Sequence, residues 1–459
     1  MVHSFRISGG ECQYSNRWAR TARFLKEREA GHPVFIKFGD FPGVQGLVRM
    51  LLVEPFKALF LGKDGSGQAN TNIMYHAGKI LALHEGDLPY EMRVLSSGLV
   101  DDWRRMSWLA GPFGKTFQAH PKRCHATDEL HFMRYDMARK PYLTYGQLDR
   151  VGKLVKVVPV DIPAPVVAHD FAISERYALF MDFPLEVDPA KLLDLSTLPM
   201  AVKQRPSRIG VLPRAAASDA EIVWFSCPDA RVCVHTFNAW EEGDTLKLAM
   251  CTYTNLTFNF MDEEMTDEER IARGPRSRAT VAEMDVSPGA WAQYRSGERE
   301  ATFEFRQMHP DFVTASGREL HIAPDFPRIR DDLTGRPARW GYCANLANTD
   351  VLGFDALMKF DLLEPSGGRR DRHLRHTVAL EPGAGCGEPV FAPRAGGRRE
   401  DDGYLLAHVH KDGAERSELR VWDARTMRQV CRIETPQRVP WGFHGAWVTE
   451  AELRRHLGE

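Results

Sequence analysis

The chain has 459 residues, of which 43% are hydrophobic and 27% are charged, a balance typical of a globular protein with ample material for a core. Its 60 Lys and Arg residues nearly match its 62 Asp and Glu residues, so nucleic acid is not an expected partner. Eight cysteines stand at irregular positions that form neither a disulfide framework nor a C-x-x-C pair. We therefore expect reduced thiols.

The predicted elements, taken in chain order, are mostly short strands between Gly, Pro and Asp residues. Helical patterns are confined to the segments 19–31, 44–63 and 262–273. Strand-like runs occupy 153–162, 177–187, 221–227, 245–256, 301–308, 404–413 and 418–424. This spacing favours antiparallel meanders, and strands do not alternate with helices as they do in parallel α/β folds. Without a long polar linker, we predict a single all-β domain over residues 1–459.

The segment 44–63 has two interpretations. It is either an amphipathic helix packed on the body of the protein, or an apolar helix that lies partly in a membrane interface and delivers a lipophilic substrate. No apolar run is long enough for a transmembrane helix, and the first residues do not form a signal peptide. We expect a protein that is not secreted, soluble or peripherally membrane-bound, in the cytoplasm or a plastid. The sequence does not indicate an oligomeric state.

Four of the 17 histidines share an unusual context. Each ends or interrupts an apolar strand and is followed at once by turn-forming or polar residues; they are His120, His169, His235 and His444. Neutral imidazole is a common ligand for Fe, Zn and Cu, and ligands from distant strands can converge on one site. Their wide spacing matches no local metal motif. Spacing alone leaves open whether each is a metal ligand or a core histidine bonded to a carbonyl.

Seven motifs in order along the chain resemble the carotenoid cleavage oxygenase family, which also contains the lignostilbene dioxygenases. They are ANTNIMYHAGKILALHEGDLPYEM, AHPK, HDFAISERYALF, HTFNAWEEGD, DFPRI, EDDGYLL and RVPWGFHGAW. The resemblance implies a seven-bladed β-propeller with a helical cap over its top face, to which 44–63 would belong. It also implies a non-haem Fe(II) on the axis, held by the four histidines named above. Met1 matches a methionine of the family's early hairpin, which in the family follows a further N-terminal stretch. The resemblance therefore leaves three alternatives: a misassigned start, a fragment, or a propeller with an incomplete blade.

The resemblance further assigns roles to residues around the histidines. Glu85, Glu388 and Asp325 match three family glutamates that accept the second N–H of a ligating imidazole. Asp325 is one methylene shorter, so we expect it to reach its histidine through a small backbone shift or a water. Thr71 matches a small side chain whose methyl group crowds one coordination position.

The residue before Glu85 bears on the substrate. The lignostilbene branch usually carries a lysine there, which binds the substrate phenol, whereas this chain has His84. A histidine can also bond a hydroxyl, but the missing lysine favours a carotenoid or apocarotenoid over a stilbene. His84 is accordingly a predicted substrate contact.

The implied reaction is the cleavage of a C=C bond in a lipophilic substrate by O2, with two carbonyl products. It needs a redox metal, because triplet dioxygen reacts sluggishly with alkenes and zinc has no redox chemistry. No catalytic side chain is expected beyond the metal centre. The alternatives are a stilbene-cleaving dioxygenase, an enzyme of the same fold that isomerises and hydrolyses a retinoid ester, and an inactive propeller that serves as a binding module.

Overall fold

The computed structural model describes residues 1–35, 67–109, 114, 116–137, 139–188, 200–254, 256, 277–346, 353–364 and 372–459. These residues form a mostly β protein, as predicted. The predicted helical segments 44–63 and 262–273 lie outside the described residues, so the helical cap and its membrane contact stay predictions. Among the described residues, no helix has the length and apolar character needed to cross a membrane.

The described residues contain 31 strands. In chain order they are β1 (Val2–Ser8), β2 (Glu11–Arg17), β3 (Asn72–His76), β4 (Lys79–Leu83), β5 (Tyr90–Val94), β6 (Val100–Arg105), β7 (Lys122–Cys124), β8 (Glu129–Tyr135), β9 (Leu143–Leu148), β10 (Leu154–Val160), β11 (Ala172–Ile173), β12 (Tyr177–Asp182), β13 (Leu185–Val187), β14 (Met200–Val202), β15 (Ser207–Pro213), β16 (Val223–Cys227), β17 (Val232–Glu242), β18 (Thr245–Tyr253), β19 (Ser277–Asp285), β20 (Arg306–Gln307), β21 (Phe312–Ala315), β22 (Arg318–His321), β23 (Pro324–Arg328), β24 (Trp340–Leu346), β25 (Phe354–Asp361), β26 (Leu374–Ala379), β27 (Ala384–Cys386), β28 (Val390–Pro393), β29 (Gly403–Lys411), β30 (Glu418–Asp423) and β31 (Gln429–Glu434).

Most of these strands belong to six antiparallel meanders of four strands each within the described residues. The meanders are β3–β6, β7–β10, β11–β12–β15–β16, β17–β20, β23–β26 and β28–β31. Strand β27 pairs with both β25 and β29, and so joins the last two meanders into one sheet. The hairpins β1–β2, β13–β14 and β21–β22 stand apart. This arrangement confirms the predicted antiparallel pattern.

Successive meanders pack face to face through shared apolar clusters. One cluster joins Leu81 of β4 to Phe132 of β8, and a larger one runs from Met133 through Phe180 to Met250. Two further clusters connect the meander of β17 to that of β23, and that of β23 to the last one. Because each meander is covered on both faces, strands such as β9 and β12 are buried along their whole length. Their sequences therefore lack a clear polar–apolar alternation.

The first and last meanders are joined through the hairpin β1–β2. The Ser15 hydroxyl donates a hydrogen bond to the Gly98 carbonyl, 3.1 Å away, next to β6. On the other side, the rings of Phe5 and His408 (in β29) have centroids 5.2 Å apart. The hairpin thus lies between the two ends of the succession of sheets.

Three α-helices occur in the described residues: α1 (Ala22–Ala30), α2 (Pro288–Ser296) and α3 (Glu450–Leu457). Helix α1 confirms the predicted segment 19–31, and it ends at Gly31, whose φ of 70° suits glycine. Helices α2 and α3 were not predicted, because the sequence analysis relied on helical periodicity, and length is not the reason: α2 has 9 residues, as α1 does. Their signals are caps rather than periodicity: Ser-Pro at the start of α2, and the T-x-x-E capping box of α3.

The predicted strands correspond to observed strands with two exceptions. The run 177–187 is divided into β12 and β13, which belong to different sheets. The segment 301–308 was predicted as a strand, but only Arg306–Gln307 is one. The rings of Phe303 and Phe305 contact each other, with centroids 5.0 Å apart, and pack on the large apolar cluster. The apolar alternation there reflects a loop packed on the core. All eight cysteines are free, and six are buried.

The capping box of α3 gives a stability prediction. The Thr449 hydroxyl accepts a hydrogen bond from the Glu452 amide at 3.3 Å, and Glu452 Oε2 accepts one from the Thr449 amide at 3.0 Å. We expect Thr449→Ala to lower the free energy of unfolding by about 1 kcal/mol, measured by urea denaturation. Thr449→Ser keeps the hydroxyl and is the matched control. Equal losses in both variants would show that the cap does not stabilise α3.

Candidate metal centre

The structure brings the four predicted histidines together. His120 lies just before β7, His169 just before β11, His235 within β17 beside a bulge, and His444 in the coil between β31 and α3. One ring nitrogen of each lies within 4.8 Å of the others. The Nε2 atoms of His120 and His169 are 3.0 Å apart. Side chains from four distant parts of the chain therefore surround one point.

The chemistry of this cluster fits a cation. Burial lowers the pKa of His120 well below its usual value, and the neighbouring His444, His169 and His235 lower it further. Nε2 of His235 is buried and has no hydrogen-bond partner among the described residues. A buried nitrogen without a partner is costly, and a metal ion would satisfy it. Four converging imidazoles are thus suited to hold a transition metal.

Glu85 contacts the second nitrogen of His169. Its Oε1 lies against Nδ1 of the imidazole, and its Oε2 accepts a hydrogen bond from the Tyr135 hydroxyl at 2.7 Å. Burial opposes ionisation of Glu85, but His169 and Tyr135 outweigh it and lower the pKa. Burial likewise opposes a charge on His169, yet Glu85 raises the pKa of that imidazole. The carboxylate fixes Nδ1 as a donor and leaves Nε2 to face the other histidines.

Asp325 makes the corresponding contact directly, without a bridging water. Its Oδ1 is 2.8 Å from Nδ1 of His235 and also accepts a hydrogen bond from the Phe326 amide at 2.8 Å. Its Oδ2 accepts one from the Tyr253 hydroxyl. The backbone departs from a regular ladder here, since β23 has a bulge after Asp325 and Phe326 has a φ of 53°. This local irregularity accompanies the direct contact that the short Asp325 side chain makes with His235.

Glu388 holds His444 through both carboxylate oxygens. Oε1 lies 2.9 Å from Nδ1 of the ring, and Oε2 accepts a hydrogen bond from the Gly445 amide at 3.0 Å. Arg328 Nη1 is 3.8 Å from Oε1. Burial opposes the charge on Glu388, but Arg328 and His444 lower its pKa. Glu388 therefore anchors both the ring and the backbone of the segment that carries His444.

One more predicted residue, Thr71, lies beside this centre. The carbonyl of Thr71 accepts a hydrogen bond from the His444 amide at 3.1 Å, so Thr71 adjoins the cluster. His84 accepts a hydrogen bond from the Gly86 amide at Nδ1, 2.9 Å away, and is not one of the four clustered histidines. Crowding by the Thr71 methyl group and substrate contact by His84 stay predictions.

Sequence reasoning missed four residues of the centre: Tyr135, Tyr253, Phe326 and Arg328. The ring of Phe326 packs against those of His235 and His444, with centroids 5.1 and 4.7 Å apart. Phe326 and Arg328 lie within the motif DFPRI, which was a usable signal. The two tyrosines end ordinary strands, and no sequence pattern separates them from other core residues.

The chain matches known proteins over nearly its whole length. The model of the family described as retinal pigment epithelial membrane protein matches residues 1–449. A carotenoid 9,10(9',10')-cleavage dioxygenase of Crocus sativus is 35% identical over 474 residues, which cover 99% of this chain and 80% of that relative.

Solved structures give the same picture of the fold. Lignostilbene dioxygenase of Pseudomonas brassicacearum has a TM-score of 0.73 at 24% identity, covering 97% of this chain and 85% of that chain. A variant of Synechocystis apocarotenoid oxygenase has a TM-score of 0.70 at 23% identity, covering 96% and 85%. At these identities, the likeness shows a common fold.

Proposed function

This chain belongs to the carotenoid cleavage oxygenase family, and on that premise we propose that it is a non-haem Fe(II)-dependent dioxygenase. It cleaves a C=C double bond of a carotenoid or apocarotenoid with O2 and gives two carbonyl products. The observation that carries this proposal is the convergence of four imidazole nitrogens within 4.8 Å. The Crocus sativus relative, named as a carotenoid cleavage dioxygenase, supports the substrate class.

In this proposal, His120, His169, His235 and His444 hold the iron through their inward nitrogens. Glu85, Asp325 and Glu388 fix the tautomers of three of them, and Thr71 crowds one coordination position. Iron supplies the redox chemistry that lets dioxygen react with an alkene, which zinc lacks. The lowered pKa values of the three carboxyl groups keep them ionised, so they offset the charge of a dication held by neutral imidazoles.

The proposed architecture is a single seven-bladed propeller with a helical cap. The six four-stranded meanders supply six blades, and the hairpin β1–β2, which lies between the first and the last, belongs to the seventh. The histidines then stand on the axis, because their segments adjoin the first strands of successive meanders. The segment 44–63 is assigned to the cap. In this arrangement the protein's role is to hold the metal and to align the selected double bond with it.

The proposed activity is tested by identifying products. The iron-loaded protein would be incubated aerobically with a carotenoid, an apocarotenal and a hydroxystilbene, and the carbonyl products identified by mass spectrometry. We expect apocarotenoid aldehydes or ketones from the first two substrates, and none in anaerobic or iron-free controls. Benzaldehyde-type products alone would favour the stilbene-cleaving alternative. A protein that binds iron stoichiometrically but gives no product would favour the binding module.

A further inference from the structure

Acids orient the rings of three of the four clustered histidines, namely His169, His235 and His444. Among the described residues, no carboxylate pairs with the ring of His120, whose Nε2 lies 3.0 Å from Nε2 of His169. The position of such an imidazole depends on the backbone that carries it. The contacts made by the segment around His120 therefore bear on how the four-histidine site is formed.

A further buried acid, Asp170, follows His169 directly, and its side chain is 2% exposed. Its Oδ1 lies 2.8 Å from Nζ of Lys122 and accepts a hydrogen bond from the Phe171 amide at 2.7 Å. Its Oδ2 accepts two hydrogen bonds from Thr236, one from the amide and one from the hydroxyl, both at 2.8 Å. Each carboxylate oxygen thus meets two donors, as a buried charge requires.

The partners of Asp170 belong to two other segments that carry clustered histidines. Lys122 stands two residues after His120, and Thr236 stands directly after His235. Strand β17 is irregular at this point, since its register against β18 shifts both before His235 and after Thr236. One carboxylate therefore links the ligand segments of three successive meanders, those that begin with β7, β11 and β17.

We infer that Asp170 is a positioning residue, which fixes the segments of His120, His169 and His235 relative to one another before the metal binds. The inference rests on the proposed metal-binding function. Unlike the three acids described above, Asp170 acts on amides, a hydroxyl and a lysine, and it bonds to none of the clustered rings. A metal site needs its ligands held close to their final geometry, and segments that are already fixed lose less freedom when the metal binds.

Asp182 provides a matched control, because it is an equally buried aspartate without a link to the histidines. Its side chain is 0% exposed, and its oxygens accept hydrogen bonds from Arg205 Nη2 at 2.9 Å and from Arg208 Nε at 2.8 Å. It ends β12, and neither arginine adjoins a clustered histidine. Loss of this carboxylate removes buried ion pairs of the fold alone, so it separates general stability from the arrangement of the metal site.

The test compares Fe(II) affinity and stability in these two variants. In Asp170→Asn the amide has one accepting oxygen, so the donors on one side of residue 170 face an NH2 group. We expect its Fe(II) affinity, measured anaerobically by chelator competition, to fall about tenfold. Asp182→Asn should keep the affinity of the unaltered protein. Urea denaturation of the metal-free variants should show lower stability in both, and conditions in which both are folded would be used for the titrations.

A third variant tests the link to His120 alone. Lys122→Met leaves Asp170 its bonds to Thr236 and Phe171 and should also weaken Fe(II) binding. The visible absorption of bound Co(II), which depends on ligand geometry, should shift in Asp170→Asn and Lys122→Met and stay unchanged in Asp182→Asn.

Equal affinities in Asp170→Asn and the unaltered protein, or equal losses in Asp170→Asn and Asp182→Asn, would overturn the inference. If Asp170→Asn did not fold without metal, unchanged affinity and an unchanged Co(II) spectrum in Lys122→Met would overturn it. Failure of the unaltered protein to bind iron would instead refute the proposed function.

Discussion

His444→Ala is expected to abolish both iron binding and C=C cleavage. The substitution removes one of the four converging imidazoles and leaves Glu388 as a buried carboxylate without its ring partner. Loss of an orienting carboxylate typically costs 10–100-fold in metal affinity, and loss of a ligand itself should exceed about 100-fold. Iron per chain would be measured by elemental analysis after Fe(II) loading, and activity by carbonyl product formation.

His410→Ala is the matched control for this experiment. His410 lies buried in β29, and its ring contacts that of Trp441 at a centroid distance of 4.2 Å. Trp441 belongs to the same C-terminal segment as His444. His410 is not one of the clustered histidines, so its loss should leave iron content unchanged. If His444→Ala retained iron and activity, or if both variants lost iron equally, His444 would not be a ligand.

The four histidines could be predicted because each lies in a motif that can be recognised in the sequence. Their exact positions differ from the expectation that each ends or interrupts a strand: only His235 lies within a strand, whereas His120 and His169 precede their strands and His444 lies in coil. The tyrosines of the centre could not be predicted. Tyr135 and Tyr253 bond to carboxylates 50 and 72 residues away, and such pairs depend on how the meanders pack. The sequence around a buried strand tyrosine does not reveal whether its hydroxyl bonds to a carbonyl or to a carboxylate of the metal centre.

In the fold, too, the local features could be predicted from the sequence and the long-range packing could not. Short strands and turns are encoded locally, and most predicted strands are observed. The arrangement of the meanders is not encoded by a repeat, because buried strands such as β9 and β12 carry no alternation to count. The segment around Phe303 and Phe305 illustrates the limit: apolar residues two apart can face a core from a loop as well as from a strand.

Asp325→Asn is expected to weaken iron binding by about 10–100-fold. Both carboxylate oxygens accept hydrogen bonds, from the His235 ring and the Phe326 amide on one side and from the Tyr253 hydroxyl on the other. An amide offers only one accepting oxygen, so one donor would face an NH2 group. His235 would lose its fixed tautomer or Tyr253 its partner. Competition with a chelator of known affinity would measure the change.

Asp325→Glu is an informative second variant, because glutamate is the usual residue at this position in the carotenoid cleavage oxygenase family. Asp325 is 5% exposed and its contacts are complete, so an added methylene overpacks the site and costs about 1–3 kcal/mol. The backbone bulge and the φ of Phe326 already fit the shorter acid. We therefore expect Asp325→Glu to bind iron more weakly than the unaltered protein, although it keeps the charge. Tighter iron binding in Asp325→Glu would contradict this and show that glutamate orients His235 better than the aspartate does. Unchanged iron binding in Asp325→Asn would show that His235 is oriented by other contacts.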